Sequence, residues 1–142
     1  MTIELIPLAT ATATLAEPFF VPDTPLGTRV IAEVTAFDIQ GDRIRGHLKG
    51  NAAADWLTLS PSLLGTVDVR VLIETDDGAL IFMSYRGRLD LSAGQGASPV
   101  YVAPLYDTGD DRYAWINKIQ AVAKGTLSSD ATQLVYEICE VR

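Results

Sequence analysis

Cysteine and histidine are almost absent from this sequence. Cys139 is the only cysteine and His47 the only histidine among 142 residues. A single cysteine excludes an intramolecular disulfide and a thiolate metal cage, and a single histidine excludes a site with two or three imidazole ligands. We therefore expect no metal and no cofactor, and we expect Cys139 to be a buried, unreactive thiol.

Basic residues are also scarce. The chain has 11 Lys and Arg against 18 Asp and Glu, which gives a formal net charge of −7. Nucleic-acid binding needs clustered Lys and Arg, and because none cluster here we expect no nucleic-acid partner. No apolar run is long enough to cross a membrane, and residues 1–16 lack the basic flank of a signal peptide. We expect a cytoplasmic protein without a membrane partner.

Local motifs of the common enzyme classes are missing as well. There is no Gly-rich phosphate loop, no G-x-S-x-G elbow and no H-E-x-x-H pair. The acidic cluster of Asp107, Asp110 and Asp111 lacks the regular ligand spacing of a calcium loop, which favours a solvated loop. Any chemistry must come from residues that the fold brings together.

The clearest structural signal lies between Val67 and Gly87. Two segments rich in β-branched and aromatic residues flank Asp77-Gly78, which is typical of a β-hairpin. Asp77 and Gly78 can both adopt positive φ, so a tight turn is expected there.

Further strands are predicted on both sides of this hairpin by alternation or by β-branched composition. They cover residues 3–8, 9–15, 28–39, 43–48, 57–59, 100–105 and 133–141. Loops are predicted at 17–25, which holds three prolines, and at 49–54, 61–65, 88–98 and 106–112. Residues 113–124 fit either a helix or a strand. Strands repeated at this spacing indicate one all-β domain over residues 1–142, a barrel or a sandwich.

Both faces of the central hairpin are apolar. Val69 and Val71 alternate with Leu72 on one strand, and Ile81 alternates with Phe82 on the next. A sheet with one wet face would alternate cleanly between apolar and polar residues. We therefore expect cover on both sides, by a filled barrel within and by a packed segment or a second subunit outside, most simply in a homodimer.

Two residues are candidates for proton transfer or hydrogen bonding in a pocket. Asp55, followed by Trp56, comes after small residues, and in an apolar pocket it would be a general acid or base. The alternative is an Asp that forms a turn. Tyr85 ends a hairpin strand, where its hydroxyl would donate to a substrate carbonyl; the alternative is a core tyrosine.

Other candidates depend on the direction of their side chains. Arg70 would bind an anion or carbonyl if it points inward, and would pair with Asp68 or Glu74 if it points outward. Arg29 is a predicted substrate contact, although it can also pair with Glu33 on its own strand face.

The aromatic run near the C-terminus is a candidate pocket wall. Tyr113, Trp115 and Asn117 share one face if their segment is a strand. Two aromatics and an amide would then hold a flat organic ligand, with Asn117 fixing a polar atom. The alternative is core packing. We predict Tyr85, Asp55, Arg70 and Asn117 as catalytic residues.

Ten short stretches along the chain form a recognisable set. They are Gly27-Thr28-Arg29, Gly41 to Gly46, Asp55-Trp56, Asp68-Val69-Arg70, Thr75 to Ala79, Tyr85-Arg86-Gly87, Ala103-Pro104, Tyr106-Asp107-Thr108, Tyr113 to Asn117 and Tyr136-Glu137-Ile138. Together they resemble the bacterial and fungal family DUF3237, also called UPF0311. The resemblance implies a small antiparallel β-barrel, similar to the allene-oxide-cyclase and lipocalin-like barrels, with a central pocket. It also implies that residues 113–124 form a strand, and it implies no settled activity.

The chain departs from the family where paired glycines are usual. Ala36-Phe37 and residues 50–54 occupy these positions. Phe37 is therefore expected to reshape the pocket mouth, and it joins Trp56, Tyr113, Trp115 and Arg29 in the predicted substrate-binding set.

Two functions are consistent with the sequence. The first is an enzyme without metal or cofactor, a lyase, isomerase or cyclase that acts on a small hydrophobic or aromatic oxygenated compound. The second is a barrel that binds or carries such a compound without changing it.

Overall fold

The computed structural model describes residues 1–142, which form ten β-strands and one 3-10 helix. The strands are β1 (Leu5–Leu15), β2 (Phe19–Thr24), β3 (Gly27–Gln40), β4 (Arg45–Leu59), β5 (Leu64–Thr75), β6 (Leu80–Asp90), β7 (Val100–Val102), β8 (Leu105–Asp107), β9 (Gln120–Leu127) and β10 (Gln133–Val141). The helix covers Asp111–Lys118.

Antiparallel pairing closes these strands into a barrel. The order around the barrel is β1-β10-β9-β7-β6-β5-β4-β3, and β1 closes the ring by pairing with β3 as well as with β10. This eight-stranded ring confirms the predicted all-β antiparallel barrel. The two remaining strands are additions, since β8 pairs with β6 and β2 extends along β3 beyond the end of β1.

The central hairpin forms as predicted, with β5 and β6 paired over their full length. Its turn differs in one detail, because only Gly78 has a positive φ, of 89°. The N–H of Gly78 donates to the carbonyl of Thr75 and closes the turn. One left-handed residue is therefore sufficient here, and glycine adopts that conformation without steric cost.

Two predicted loops are strands. Residues 17–25 contain β2, which pairs with β3 at Phe20 and Val30. Pro22 is tolerated in β2 because no strand pairs with its other edge, so a missing N–H breaks no ladder. Residues 49–54 lie inside β4, where a bulge between Leu48 and Ala53 absorbs the extra residues.

The segment 113–124 is not one strand, so the implied strand is wrong over its first half. Asp110 caps the 3-10 helix by accepting from the N–H of Arg112 at 2.9 Å, and β9 begins only at Gln120. The predicted strand at residues 100–105 is likewise divided, between β7 and β8.

No helix of the protein has the length and hydrophobicity needed to span a membrane.

One half of the barrel interior is densely packed. Ile44, Ile73, Ile81 and Ile116 meet there and are at most 1% exposed. Ile116 comes from the 3-10 helix, which covers this end of the barrel. Each such isoleucine contributes about 1.5–3 kcal/mol relative to an exposed position. We call this end the closed end.

A buried carboxylate fastens the closed end. Glu140 accepts from Arg43 at 2.6 Å and from Arg142 at 3.0 Å. The Arg43 guanidinium also lies over the ring of Trp115, 4.5 Å from its centroid. These contacts link β10 to the helix and to the β3–β4 turn.

Two tyrosines meet halfway along the interior. The rings of Tyr85 and Tyr136 pack edge to face, with centroids 5.4 Å apart and planes at 72°. The ring of Tyr136 lies across Gly125 of the neighbouring strand. A Cβ at Gly125 would come within 2.6 Å of Cε1 of Tyr136, so only glycine leaves room for this ring.

We predict that Gly125→Ala destabilises the protein by about 1–3 kcal/mol, the usual cost of overpacking a core. The added methyl group would force the Tyr136 ring away from Tyr85. Urea denaturation would measure the free energy of unfolding. Gly109→Ala is the matched control, because a Cβ there meets no atom within 4 Å. Equal stability of both variants would contradict the proposed role of Gly125.

Candidate functional site

The other half of the barrel is hollow. It contains a cavity of about 200 Å³ that opens between β2, the loop after β6 and the β9–β10 turn. Fourteen of its 17 lining residues are hydrophobic. The lining consists of Leu15, Ala16, Pro18, Phe20, Val30, Ala32, Asp55, Leu57, Leu59, Val67, Leu89, Leu91, Gln95, Val100, Leu127, Ala131 and Leu134.

Asp55 is the only charged side chain in this lining. It lies on β4 on the same face as Leu57 and Leu59, which places all three toward the lumen. The β4–β5 ladder is interrupted after the pairing of Asp55 with Val69. Within this gap the N–H of Asp68 donates to Oδ1 of Asp55 at 3.1 Å. Asp55 is therefore held mid-strand, and the alternative of a turn-forming Asp is wrong.

The apolar surroundings change the acidity of Asp55. Burial raises its pKa from 3.8 to about 6, and the hydrogen bond from the Asp68 N–H opposes part of that rise. No three carboxylates, thiols or imidazoles of the chain cluster closely enough to hold a metal ion. Asp55 is a lone carboxyl group that exchanges its proton near neutral pH, which is the property a general acid or base needs.

The two interior tyrosines adjoin the cavity lining but are not part of it. Asp55 and Tyr85 both pair with Val69 and so share one row and one face of the sheet. Tyr136 follows the lining residue Leu134 by two positions on β10. Burial raises the pKa of Tyr85 well above its usual value, and the nearby Asp55 carboxylate raises it further. Tyr85 therefore stays protonated and can act as a hydrogen-bond donor.

Three predicted site residues lie on the outer surface. Trp56 is 42% exposed, and the Arg70 guanidinium lies 5.7 Å from its ring centroid. Arg29 is exposed and contacts the Thr58 hydroxyl. Of the two orientations considered for Arg70, the structure shows the outward one. Trp56 and Arg70 flank an open groove with Phe82, and the homodimer that would cover this face stays a prediction.

The predicted aromatic wall does not form, because its segment is a helix. Asn117 binds both the N–H and the carbonyl of Thr108, at 2.8 and 2.9 Å, and so fixes the chain before the helix. Tyr113 donates to Asp77 at 2.8 Å, and Trp115 lies at the closed end under Arg43. Phe37 is 2% exposed and is not part of the cavity lining. Of the predicted set, the structure brings together Asp55 and Tyr85.

Sequence reasoning missed Tyr136 and Gln95. Alternation within β10 carried a signal for Tyr136, since Leu134, Tyr136 and Ile138 share one face opposite Gln133 and Glu137. Gln95 had no such signal, because it reaches the cavity from an irregular loop.

We predict that Asp55→Asn stabilises the protein above pH 6 by up to about 3 kcal/mol, the equivalent of the raised pKa. Between about pH 4 and 6 the unfolded chain releases the Asp55 proton and the folded protein keeps it. The free energy of unfolding of the wild type therefore falls as pH rises through this window. The Asp55→Asn variant does not lose this stability, because its amide does not titrate.

Urea denaturation at pH 4 and pH 7.5 would measure this difference. Asp107→Asn, which changes an exposed carboxylate on β8, is the control and should leave the free energy of unfolding nearly unchanged. A gain for Asp55→Asn of the same size at both pH values would contradict the assignment.

Comparison with known proteins agrees with this fold. The model of the family described as "Protein of unknown function (DUF3237)" matches residues 3–141. A UPF0311 protein of Bradyrhizobium diazoefficiens is 23% identical over 93% of this chain and 92% of its own length.

Solved structures show the same barrel. A β-barrel-like protein of Acinetobacter baumannii superimposes with a TM-score of 0.85 at 26% identity, over 100% of this chain and 98% of the other. A protein described as an enzyme from Penicillium herquei superimposes with a TM-score of 0.72 at 22% identity, over 99% and 94% of the two chains. At that identity the second likeness shows the fold alone. The match over nearly the whole chain establishes that this protein belongs to the DUF3237 family, also named UPF0311.

Proposed function

We propose that the protein is a cofactor-independent lyase, isomerase or cyclase that acts on a small oxygenated compound inside the hollow half of the barrel. One observation carries this proposal. The apolar cavity contains a single ionisable group, Asp55, whose pKa is raised to about 6 by burial. A carboxyl group with this pKa can both accept and donate a proton near neutral pH.

The size of the cavity supports a small substrate. Its volume of about 200 Å³ is somewhat larger than the ~150 Å³ cavity that holds benzene in an engineered protein. One ring with a few substituents fits this space. The surrounding leucines, valines and alanines exclude water and favour an apolar ring over a sugar or a peptide.

The proposed chemistry uses Asp55 and Tyr85 in separate roles. The Asp55 carboxylate takes a proton from a carbon next to the substrate carbonyl. The C–H electron pair forms a new carbon–carbon double bond, and the carbonyl π pair moves onto oxygen. Tyr85 donates a hydrogen bond to that oxygen while its negative charge develops. Asp55 then returns the proton to another carbon, so that no oxidant or reductant is needed.

A non-catalytic carrier is the second candidate. The observation that favours it is the composition of the lining, in which Asp55 and Gln95 are the only side chains that can hydrogen-bond. The fold shared with the Penicillium herquei enzyme supports catalysis only at the level of architecture, and the curated relative has no stated activity.

We predict that the protein catalyses deuterium exchange or isomerisation in a panel of one-ring enones, lactones and phenols in D₂O. NMR and chromatography together would detect both outcomes. Asp55→Asn should lower the rate at least 100-fold, and Tyr85→Phe should lower it about 100-fold. The wild-type rate should rise as pH increases through about 6, because the base must be ionised.

Asp107→Asn is the matched control, and its rate should equal that of the wild type. A panel compound that binds but is recovered without deuterium or isomerisation would favour the carrier. A wild-type rate that Asp55→Asn leaves intact would refute the proposed role of the carboxylate.

A further inference from the structure

Two hydroxyl groups in the barrel are buried without any hydrogen-bond partner. They belong to Tyr106 and Tyr136, which are 3% and 1% exposed. A buried hydroxyl without a partner has lost its hydrogen bonds to water and gained none in the protein, which destabilises the folded state. Phenylalanine would fill the same space without this cost, so each hydroxyl calls for an explanation.

The two hydroxyls lie in different surroundings. Tyr106 is on β8 and pairs with Met83, within the packed half of the barrel. Tyr136 lies at the boundary of the hollow half, one layer below Leu134, and its ring touches that of Tyr85. The Tyr136 hydroxyl lies near enough to that of Tyr85 to lower the Tyr85 pKa, although no hydrogen bond of ordinary geometry joins them, whereas Tyr106 has no such contact. Only Tyr136 is therefore placed to act on a ligand, and it would do so through Tyr85.

The charge of the lining limits which ligands can enter. Asp55 supplies the only charge, and no Lys or Arg contributes to the wall. A carboxylate or phosphate would lose its hydration there, meet no cation and be repelled by Asp55. A neutral carbonyl or phenolic oxygen has no such penalty, and it needs one donor at the inner end of the cavity.

We propose that the cavity binds a neutral one-ring compound with its carbonyl or phenolic oxygen directed inward at Tyr85, and that Tyr136 is the positioning residue for this contact. The Tyr85 hydroxyl donates to the ligand oxygen, and its own oxygen accepts from the Tyr136 hydroxyl. The ligand thus draws the two neighbouring hydroxyls into a chain of two hydrogen bonds. This inference rests on the proposed function, because it concerns the same cavity.

A chain of this kind strengthens each of its members. When the Tyr85 oxygen accepts a hydrogen bond from Tyr136, the Tyr85 side chain is already held in place. It therefore loses less conformational entropy when a ligand binds. The Tyr136 hydroxyl, which has no other partner than the neighbouring Tyr85, is then a group placed for the bound state. Tyr106 also lies near Tyr85, but only the Tyr136 hydroxyl is within hydrogen-bond reach of the Tyr85 hydroxyl, which makes Tyr106 an internal control.

Calorimetric titration with p-cresol and toluene at pH 7 would test the proposal. The two probes differ by one hydroxyl, and we expect the wild type to bind p-cresol about tenfold more tightly than toluene. Tyr136→Phe should reduce this preference about fivefold, and Tyr85→Phe should abolish it. Tyr106→Phe should keep the preference of the wild type, and toluene should bind all four proteins equally. 4-Methylbenzoate, the anionic probe, should not bind.

Urea denaturation separates this role from a structural one. Both Tyr136→Phe and Tyr106→Phe should fold at least as stably as the wild type, because each removes an unpaired hydroxyl. An unchanged preference for p-cresol in Tyr136→Phe, an equal loss in Tyr106→Phe, or tight binding of 4-methylbenzoate would overturn the proposal. None of these results would bear on proton transfer by Asp55. If instead the wild type prefers p-cresol as expected but turns over no panel compound, the proposed function is refuted and the binding proposal stands.

Discussion

The edge-to-face contact between Tyr85 and Tyr136 divides the interior of this barrel. On one side of the two rings lie the packed isoleucines of the closed end, and on the other side lies the cavity. The contact exists because Gly125 leaves the space that the Tyr136 ring occupies. A single glycine on β9 thus fixes the depth of the cavity and the position of its inner wall, on which the rest of the site is built.

Asp55 illustrates the cost of placing chemistry in such a cavity. Its carboxylate is held by one N–H and is otherwise surrounded by apolar walls, which is unfavourable for the ionised form. The closed end shows the opposite arrangement, since Glu140 is satisfied by two guanidinium groups that hold its pKa below the usual value. The protein leaves one carboxyl group underpaired and pairs the other fully, which separates the reactive end from the structural end.

Local signals predicted much of the fold. The Asp77-Gly78 turn and the alternating strands beside it depend on neighbouring residues, and they form as expected. β2 and the bulge of β4 were missed because distant partners, not local composition, hold them in the sheet. The same bulge explains why the site was only half predicted. The bulge adds three residues to β4, and an odd shift exchanges the faces of a strand, so the bulge decides that Asp55 points inward and Trp56 outward.

The position of the cavity mouth affects how a compound enters the barrel. The mouth lies at the rim, between β2, the loop after β6 and the β9–β10 turn, and not between two paired strands of the ring. A compound can therefore enter and leave without breaking the hydrogen bonds that close the ring. Exchange of the bound compound is in this way separated from the stability of the barrel.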